Sequence, residues 1–536
     1  MSIHNVEETR HEIEEALHLT LVPGTEVMKD VGHVHFKHAG HRVLVPQPSN
    51  DPADPLNWNR KWKTLAMIGM AISSFTQIFG PLAAAPQVPY YMADFDATLP
   101  AVIQFIGVAI LVLGFSNLIW VPFARVFGRR PMLLLTNLIT IASSIWRAEA
   151  KTYNSFLGAC ILSGIGTGPS ETLGAMLVTD VMFLHERGRF MGLYQCSLWS
   201  GVMLGPVVAG TMAQKYGWRS FWWVCTAVSC FALVYQIFCI PETKWSRRES
   251  EIVVDHHTPS PTVPAAEELK QTHSETIEDQ EINVKLSGSP NRRQFLPYNG
   301  FDKAEPLLQS IILPFKLFAF PIVQWSSFVF SWCASCFLVV NVTQSQALAG
   351  APWMFDPAAV GYTNFALFAG TSIALLTAGP LSDWISMRAT IRNGGIREPE
   401  MRLPALIPFA LCTLIGSVVT SVGYQQGWSW EVVVIIGYTL LGIQVAAIAA
   451  IATTYAIDSY KPVAGEFLVS ATIYKNLWGY GVTKFLNTWI VKDGYVTPIM
   501  TNAGICLFFV SLAIPLFFWG KTVRTWSRNS AIHRAG

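Results

Sequence analysis

In the stretch GTGPSETLGAMLVTD, Glu171 is an acid set among apolar and small neighbours. A carboxylate in such surroundings has three uses: it exchanges a proton, it holds a cation, or, protonated, it hydrogen-bonds two helices together. Pro169, just before it, lacks a backbone donor, so a helix can open there and leave carbonyls free for a ligand. Asp180 follows in the same apolar run, with Arg187 and Arg189 beyond it, an order that suits an ion pair at a helix end. A second charged group, Arg125, Arg129 and Arg130 in NLIWVPFARVFGRRPMLLL, lies between runs 102–123 and 132–145, which hold no acid or base. Guanidinium groups in that place either retain a loop on one side of a membrane or pair in two-pronged fashion with a carboxylate.

Neutral polar residues supply the other candidate contacts: Asn341, Gln344, Asn364, Gln444, Tyr474 and Asn476. Each alone reads as an interhelical hydrogen-bond partner, and as a set converging on one cavity they read as contacts for a small-molecule substrate. Lys475 has two readings: it reaches the cytoplasmic interface along its aliphatic stem, or it stands as an internal charge. Cys333 and Cys336 form a CxxC without a second cysteine pair or polar flanks, which points to packing. The histidines of HVHFKHAGH (His33, His35, His38, His41) can bind a transition metal, but a solvated tail explains them as well, and no metal site is assigned. Nucleophile triads, phosphate loops and zinc-protease helices are not found, so neither an enzyme nor a bound cofactor is expected.

The elements that must position these residues are membrane spans. The 536-residue chain is 51% hydrophobic and 13% charged, with mean hydropathy +0.36, against about 25% charged for ordinary soluble domains. A net charge of +2, spread over loops, excludes a nucleic-acid partner. Apolar runs long enough to cross a bilayer recur at 65–85, 102–123, 132–145, 156–181, 191–212 and 221–240, then at 322–348, 360–380, 403–422, 432–455, 467–490 and 499–519. Between the sets lies a polar stretch rich in Glu, Ser, Thr and Pro, which cannot bury enough apolar surface to order itself. The expected organisation is a cytoplasmic tail (1–62), a six-helix half (63–240), a disordered cytoplasmic linker (241–315), a second six-helix half (316–520) and a cytoplasmic tail (521–536). Lys and Arg concentrate in loops that place both termini and the linker in the cytoplasm, and the amino terminus does not have the pattern of a cleaved signal.

Gly128-Arg129-Arg130-Pro131, where a cytoplasmic turn enters the third span, resembles the loop G-x-x-x-D-R-x-G-R-R of the major facilitator superfamily. Val121 stands for the Gly and Arg125 for the Asp of that pattern. The corresponding loop of the second half keeps Gly379 and Asp383, followed by Arg388 and Arg392. In the fifth span, Gly201, Gly205, Pro206 and Gly210 resemble the G-x-x-x-G-P motif of antiporters in that superfamily, a stripe that lets a neighbouring helix approach closely. The segments DPADPLNWNRKWK, HERGRFMGLY, NGGIREPEMRLP and YKNLWGYGVTKFLNTW are similar to fungal twelve-span drug:proton antiporters, especially the branch with polyamine and histidinol permeases. An Arg frequent early in that family's fourth span is replaced here by Cys160.

The resemblance implies an all-α major facilitator fold of twelve helices in two pseudo-symmetric halves. It also implies secondary active transport of a small organic molecule by alternating access, driven by protons, acting as a monomer in the lipid bilayer of a plasma membrane. Efflux of a toxic compound or secondary metabolite is the expected direction; uptake of a polyamine-like cation or nutrient, and a transporter-like sensor, are the alternatives. Glu171 is the expected substrate or proton group. Arg129, Arg130, Asp180, Arg187, Asp383, Arg388 and Asp458 are the expected gate, with Asp180 the partner of the arginines.

Overall fold

The computed structural model describes residues 25–27, 38–39, 42–43, 49, 51–245, 288–297, 307–393, 396–460 and 464–527. Of the amino-terminal histidines, His33, His35 and His41 lie outside these residues, as does the middle of the expected linker, 246–287.

Twelve spans follow in order. The first half contains α1 (Arg60–Phe79), α2 (Leu99–Phe127), α3 (Arg129–Glu149), α4 in two pieces (Tyr153–Thr167 and Leu173–Val181), α5 (Leu184–Tyr216) and α6 (Trp218–Cys239). The second contains α7 (Pro321–Ala349), α8 (Asn364–Arg392, led by a short helix Pro357–Tyr362), α9 (Leu406–Gln426), α10 (Thr439–Ser459), α11 (Ala464–Asp493) and α12 (Val496–Ser511 with Ala513–Ser527). Among the described residues, eight helices are long and apolar enough to cross a membrane by length and composition. The others are α1, α3, α4 and α11. The last carries Glu466, Lys475, Lys484 and Lys492, and such a helix is stable in a bilayer only where neighbours shield its charges.

Helix starts follow local chemistry. The Asn59 side chain accepts the Trp62 N–H at 3.0 Å and caps α1. Gly128, at φ 104°, makes the sharp turn from α2 into α3 that a side chain would resist. Two seams join the halves, α2 against α11 and α5 against α8. The first is built on small residues: a Cβ on Gly114 would come within 2.6 Å of the Asn476 Cβ.

The linker is ordered at both described ends, unlike the uniformly disordered segment expected for 241–315. Gly288 exchanges backbone hydrogen bonds with the amino-terminal segment, accepting from Asn59 at 2.8 Å and donating to Asn57 at 3.0 Å. Gln294 donates to the Ala53 carbonyl at 3.0 Å, and Phe295 packs on Trp62 with ring centres 5.6 Å apart. The socket is DPADPLNWN itself, whose Asp54 and Trp58 are fully buried. Helix Leu307–Leu317 packs against both α2 and α11. Apolar residues anchor these described segments, Phe295 on Trp62 and Leu313 and Leu317 against the core.

At the end of the second half that carries the loop between α8 and α9, the backbone of Glu26–Val27 pairs antiparallel with Ile396–Arg397. Arg524, fully buried, donates to Glu398 at 2.6 Å and to Glu400 at 2.7 and 2.8 Å. Burial alone would push the Glu398 carboxyl up, but hydrogen bonds and charge from Arg524, with help from Lys521, override it and hold it below the ordinary carboxylate value. A depressed folded value stabilises the protein above the unfolded value, about pH 4.3, and that contribution is lost as pH falls through the folded value. Arg524→Met should destabilise by about 3–5 kcal/mol, because it leaves the buried Glu400 carboxylate without its cation and Glu398 with Lys521 alone. Glu398→Gln should lower the Tm at pH 7 and converge on wild type as the pH drops below about 4.3. Thermal scans of detergent-solubilised protein between neutral and acidic pH check both.

Candidate functional site

The site begins with the break in α4. Gly168–Glu171 is a 3-10 turn rather than α-helix, since Pro169 offers no backbone donor. Carbonyls around the break are claimed by side chains of neighbouring helices. Trp120 Nε1 donates to Ile165 O at 2.8 Å, Ser116 Oγ to Gly164 O at 3.3 Å, and Tyr194 OH to Ser170 O at 2.9 Å. Thr172, which restarts the helix, donates to Asn117 Oδ1 at 2.7 Å. These partners satisfy the irregular backbone at membrane depth and fix the direction of Glu171.

Glu171 points into a cavity between the halves and forms an ion pair with Lys475 of α11 through Oε1. Both side chains are largely buried, and the lysine ammonium also sits 5.3 Å from the centre of the Phe330 ring. The Glu171 Oε2 and the Asn476 Nδ2 are buried without a hydrogen-bond partner among the described residues. The rest of the wall is mostly apolar and aromatic, with Tyr194 and Trp199 from α5 and Phe330 and Phe337 from α7, and with Gln195, Ser335, Thr453 and Thr472 as further polar residues. The cavity measures ≈ 100 Å³, several times the ~10–15 Å³ that a single water needs. One ion pair, two unused polar atoms and aromatic faces make a site for a small amphipathic organic molecule.

Of the expected contacts, the structure brings Glu171 and Asn476 to the cavity wall. Gln344 and Asn364 bond each other, Asn364 Nδ2 donating to Gln344 Oε1 at 3.3 Å, away from the cavity. Gln444 faces the Cys506 sulfur at 3.8 Å, Asn341 is fully buried outside the cavity wall, and Tyr474 packs edge-on against Phe318 and at a tilt against Phe328. Lys475, whose position along α11 left two readings open, is the internal charge.

At the end of the bundle where α2 turns into α3, Arg129 grips Asp180 with Nε at 2.8 Å and Nη2 at 3.4 Å. Both belong to the first half. Arg130 is aimed elsewhere, donating to the carbonyls of Gln236, Ile237 and Ile240 at the end of α6 and to Phe295. The Glu242 carboxylate returns the favour at the start of α3, accepting the backbone N–H of Arg129 at 2.9 Å and of Arg130 at 3.1 Å. Arg187 donates to Thr179 O at 3.5 Å. In the second half Arg402, just ahead of α9, bonds Asp383 at 2.7 Å and Asp458 at 2.8 Å, much as Arg129 at the start of α3 bonds Asp180. Arg388 stacks on Trp384, 3.9 Å from its ring centre, at the surface of α8. Between the halves on this side runs a pair that sequence reasoning did not single out, Arg125 of α2 with Glu466 of α11. Arg402, Glu242 and Glu466 were missed too. For Arg402 the signal was available, since it repeats Arg129 in the duplicated half.

The glycine stripe of α5 divides. Gly201 and Gly205 face α1 within their own half, where a Cβ would approach Phe75 O to 2.6 Å and Phe79 O to 2.2 Å. Gly210 faces the other half, where a Cβ would lie 2.4 Å from Pro357 O, and Pro206 O lies 2.8 Å from a Cβ built on Gly361. Nearby, Gln214 donates to Asp356 at 2.8 Å and Thr211 reaches Tyr362 at 3.4 Å, so the outer ends of the halves are in contact.

The sequence profile of the Major Facilitator Superfamily matches residues 66–480. An MFS-type transporter of Schizosaccharomyces pombe is 26% identical over 92% of this chain and 90% of its own length. The efflux pump radE of Floropilus chiversii is 23% identical over 89% of this chain and 84% of its own. Among solved structures, the human organic anion transporter MFSD10 has the same fold, with TM-score 0.56 at 14% identity, covering 84% of this chain and 99% of that one.

The divided stripe separates two outcomes. Gly205→Leu meets backbone inside one half and should prevent stable folding, whereas Gly210→Leu meets the opposite half and should leave each half folded while hindering outer closure. Thermal unfolding of the two variants in detergent checks this, the Gly205 variant unfolding well below the Gly210 variant.

Proposed function

The chain belongs to the Major Facilitator Superfamily and is a multi-pass membrane transporter; from that premise we propose that it exports a small organic cation in exchange for protons. The observation that carries the reading is the Glu171–Lys475 pair, one partner from each half, inside the cavity. A cation entering from the cytoplasm takes the Glu171 carboxylate, whose second oxygen is free to accept it. Leaving Lys475 as an unpaired buried ammonium is costly, so the lysine gives up its proton to the cytoplasm. After the halves rock to face outward, the cation departs, Lys475 takes a proton from outside and the ion pair re-forms. One proton enters for each cation that leaves. Tyr194, Trp199, Phe330 and Phe337 present ring faces suited to a cation with an apolar body. Export also agrees with the naming of the relative radE as an efflux pump. On this reading the protein works as a monomer in the plasma membrane, since one chain supplies both walls of the cavity.

A second reading rests on Asn476. Its free amide donor lies beside Lys475, and together they suit a carboxylate. An anion on Lys475 would require a proton on Glu171, so the two would move in the same direction, as in uptake. The sign of the substrate therefore sets the direction of coupling.

Proteoliposomes holding a pH-sensitive dye, given an outward gradient of tetraphenylphosphonium or spermidine, distinguish these readings. Proton entry during cation exit is expected. Glu171→Gln should reduce cation flux by about tenfold or more, equivalent to at least about 1.4 kcal/mol in the limiting step. Lys475→Met should retain cation-for-cation exchange and abolish proton movement. Proton movement in the same direction as the substrate, or unaltered coupling in the lysine variant, overturns the exchange mechanism.

A further inference from the structure

The first turn of α1 runs against the rule for helix starts. A helix begins with about half a positive charge on its unpaired backbone donors, which favours acids there, yet this turn holds Arg60, Lys61 and Lys63 and no acid. Lys63 is buried, its ammonium 4.5 Å from the centre of the Phe183 ring and without a hydrogen-bond partner among the described residues, and it draws on the charges of Glu186 and Asp54. Arg60 and Lys61 are exposed. The acids of the preceding segment are already in use: Asp54 is buried and accepts the N–H groups of Ser49 and Leu56, each at 3.0 Å, and Asp51 accepts that of Ala53 at 2.8 Å. The returning linker brings two more bases to the same place. Arg292 and Arg293, both exposed, lie between Gly288, which is bonded to the backbone of Asn57 and Asn59, and Phe295, whose ring packs on Trp62. Two stretches distant in sequence thus present four exposed bases on one surface, and none of the four has an ion-pair partner among the described residues.

We propose that Arg60, Lys61, Arg292 and Arg293 form a seat for anionic lipid headgroups at the membrane surface. Their height suits it. Arg60 and Lys61 precede the apolar run that opens at Leu65 by little more than one helical turn, about 6–8 Å, and the headgroup layer is about 5–8 Å deep on each side of the hydrocarbon. Leu296, half exposed beside the bases, offers an apolar contact for the same layer. A phosphodiester or carboxylate headgroup supplies the negative charge that the protein does not. By bridging Arg292 and Arg293 to Arg60 and Lys61 it also holds the returning linker against the start of α1, whereas four uncompensated bases repel one another and loosen that contact. The linker carries acids of its own, among them Glu275, Glu278 and Asp279. A lipid is the better occupant, because the patch stands at the bilayer surface, where anionic headgroups are concentrated and each base adds to the attraction.

The inference needs only that the chain crosses a membrane, and neither the exchange mechanism nor its direction. Its test is lipid binding to the full-length protein, with phosphatidylserine or phosphatidylcholine added in detergent and bound lipids counted by native mass spectrometry. Phosphatidylserine should bind in preference. The fourfold variant Arg60→Gln, Lys61→Gln, Arg292→Gln and Arg293→Gln should need at least about tenfold more of it. Arg60→Lys with Arg292→Lys and Arg293→Lys should bind as wild type, since the attraction depends on charge. Lys215→Gln with Lys492→Gln, which removes two bases at the other end of the bundle, should change nothing. In nanodiscs containing phosphatidylserine, amide exchange over residues 288–297 should be slower than in phosphatidylcholine alone, and in the fourfold variant the two rates should coincide. If the fourfold variant does not fold, Arg292→Gln with Arg293→Gln alone decides. Equal binding of the two lipids, undiminished phosphatidylserine binding in the fourfold variant, or an equal loss in the Lys215 and Lys492 variant overturns the proposal. A preference that emerges only when 258–280 is deleted overturns it in favour of the linker's own acids.

Discussion

An ionised group in the hydrocarbon interior is so costly that it persists only with a partner or with water. Glu171 and Lys475 are such a pair, and much of the surrounding architecture exists to let them meet. Glu171 is delivered by an interruption of α4, which is tolerable because Trp120, Ser116 and Tyr194 occupy the carbonyls around it. Lys475 is delivered by α11, a helix too charged to face lipid along its length and therefore set against α2 and α7. Because one member comes from each half, the pair ties the electrostatics of the cavity to the relative position of the halves. A ligand in this cavity meets both charges at once, together with the unused Oε2 of Glu171 and Nδ2 of Asn476.

The cytoplasmic face shows the same rule applied to helix ends. Glu242 covers the donors that begin α3, and Arg130 covers the carbonyls that end α6, so the two helices are stitched reciprocally. Arg524 with Glu398 and Glu400 does comparable work in the second half, where a short amino-terminal strand joins the loop before α9. These clusters tie the helices of each half to one another. At the two seams between the halves, small residues such as Gly114 and Gly210 allow the backbones close approach.

Legibility in the sequence tracked the range of the interaction. The spans and the duplication could be read because hydropathy is local, and the break at Pro169 because proline acts on its own turn. The division of the glycine stripe could not, since the spacing of Gly201, Gly205 and Gly210 shows that one face is bare but not which helix lies over it. Lys475 stayed ambiguous for the same reason: its partner is 304 residues away and in the other half. Asn341, Gln344, Asn364 and Gln444 looked like cavity groups by depth, yet depth says nothing of rotation about the helix axis. A polar residue turned away from the cavity finds a neighbour of its own, as Asn364 finds Gln344.

Charge reversal at Arg125 shows why a departure from a pattern carries more information than a match to it. Read alone, the arginine removes a carboxylate and suggests a gate without its closing group. Glu466 changes that reading, because an interface between two halves constrains the product of the charges across it and not the sign on either side. The acid can move from α2 to α11 if the base moves the other way, and the contact energy between the halves is preserved to the extent that the acid outweighs the positive end of the helix it starts. The substitution that remains intolerable is the one that leaves two like charges facing each other, or one buried charge facing none. On the same ground the cavity pair and the Arg125–Glu466 pair are alike in kind: each joins a charge of the first half to its opposite on α11, so that one helix carries the charge match to the first half at both levels.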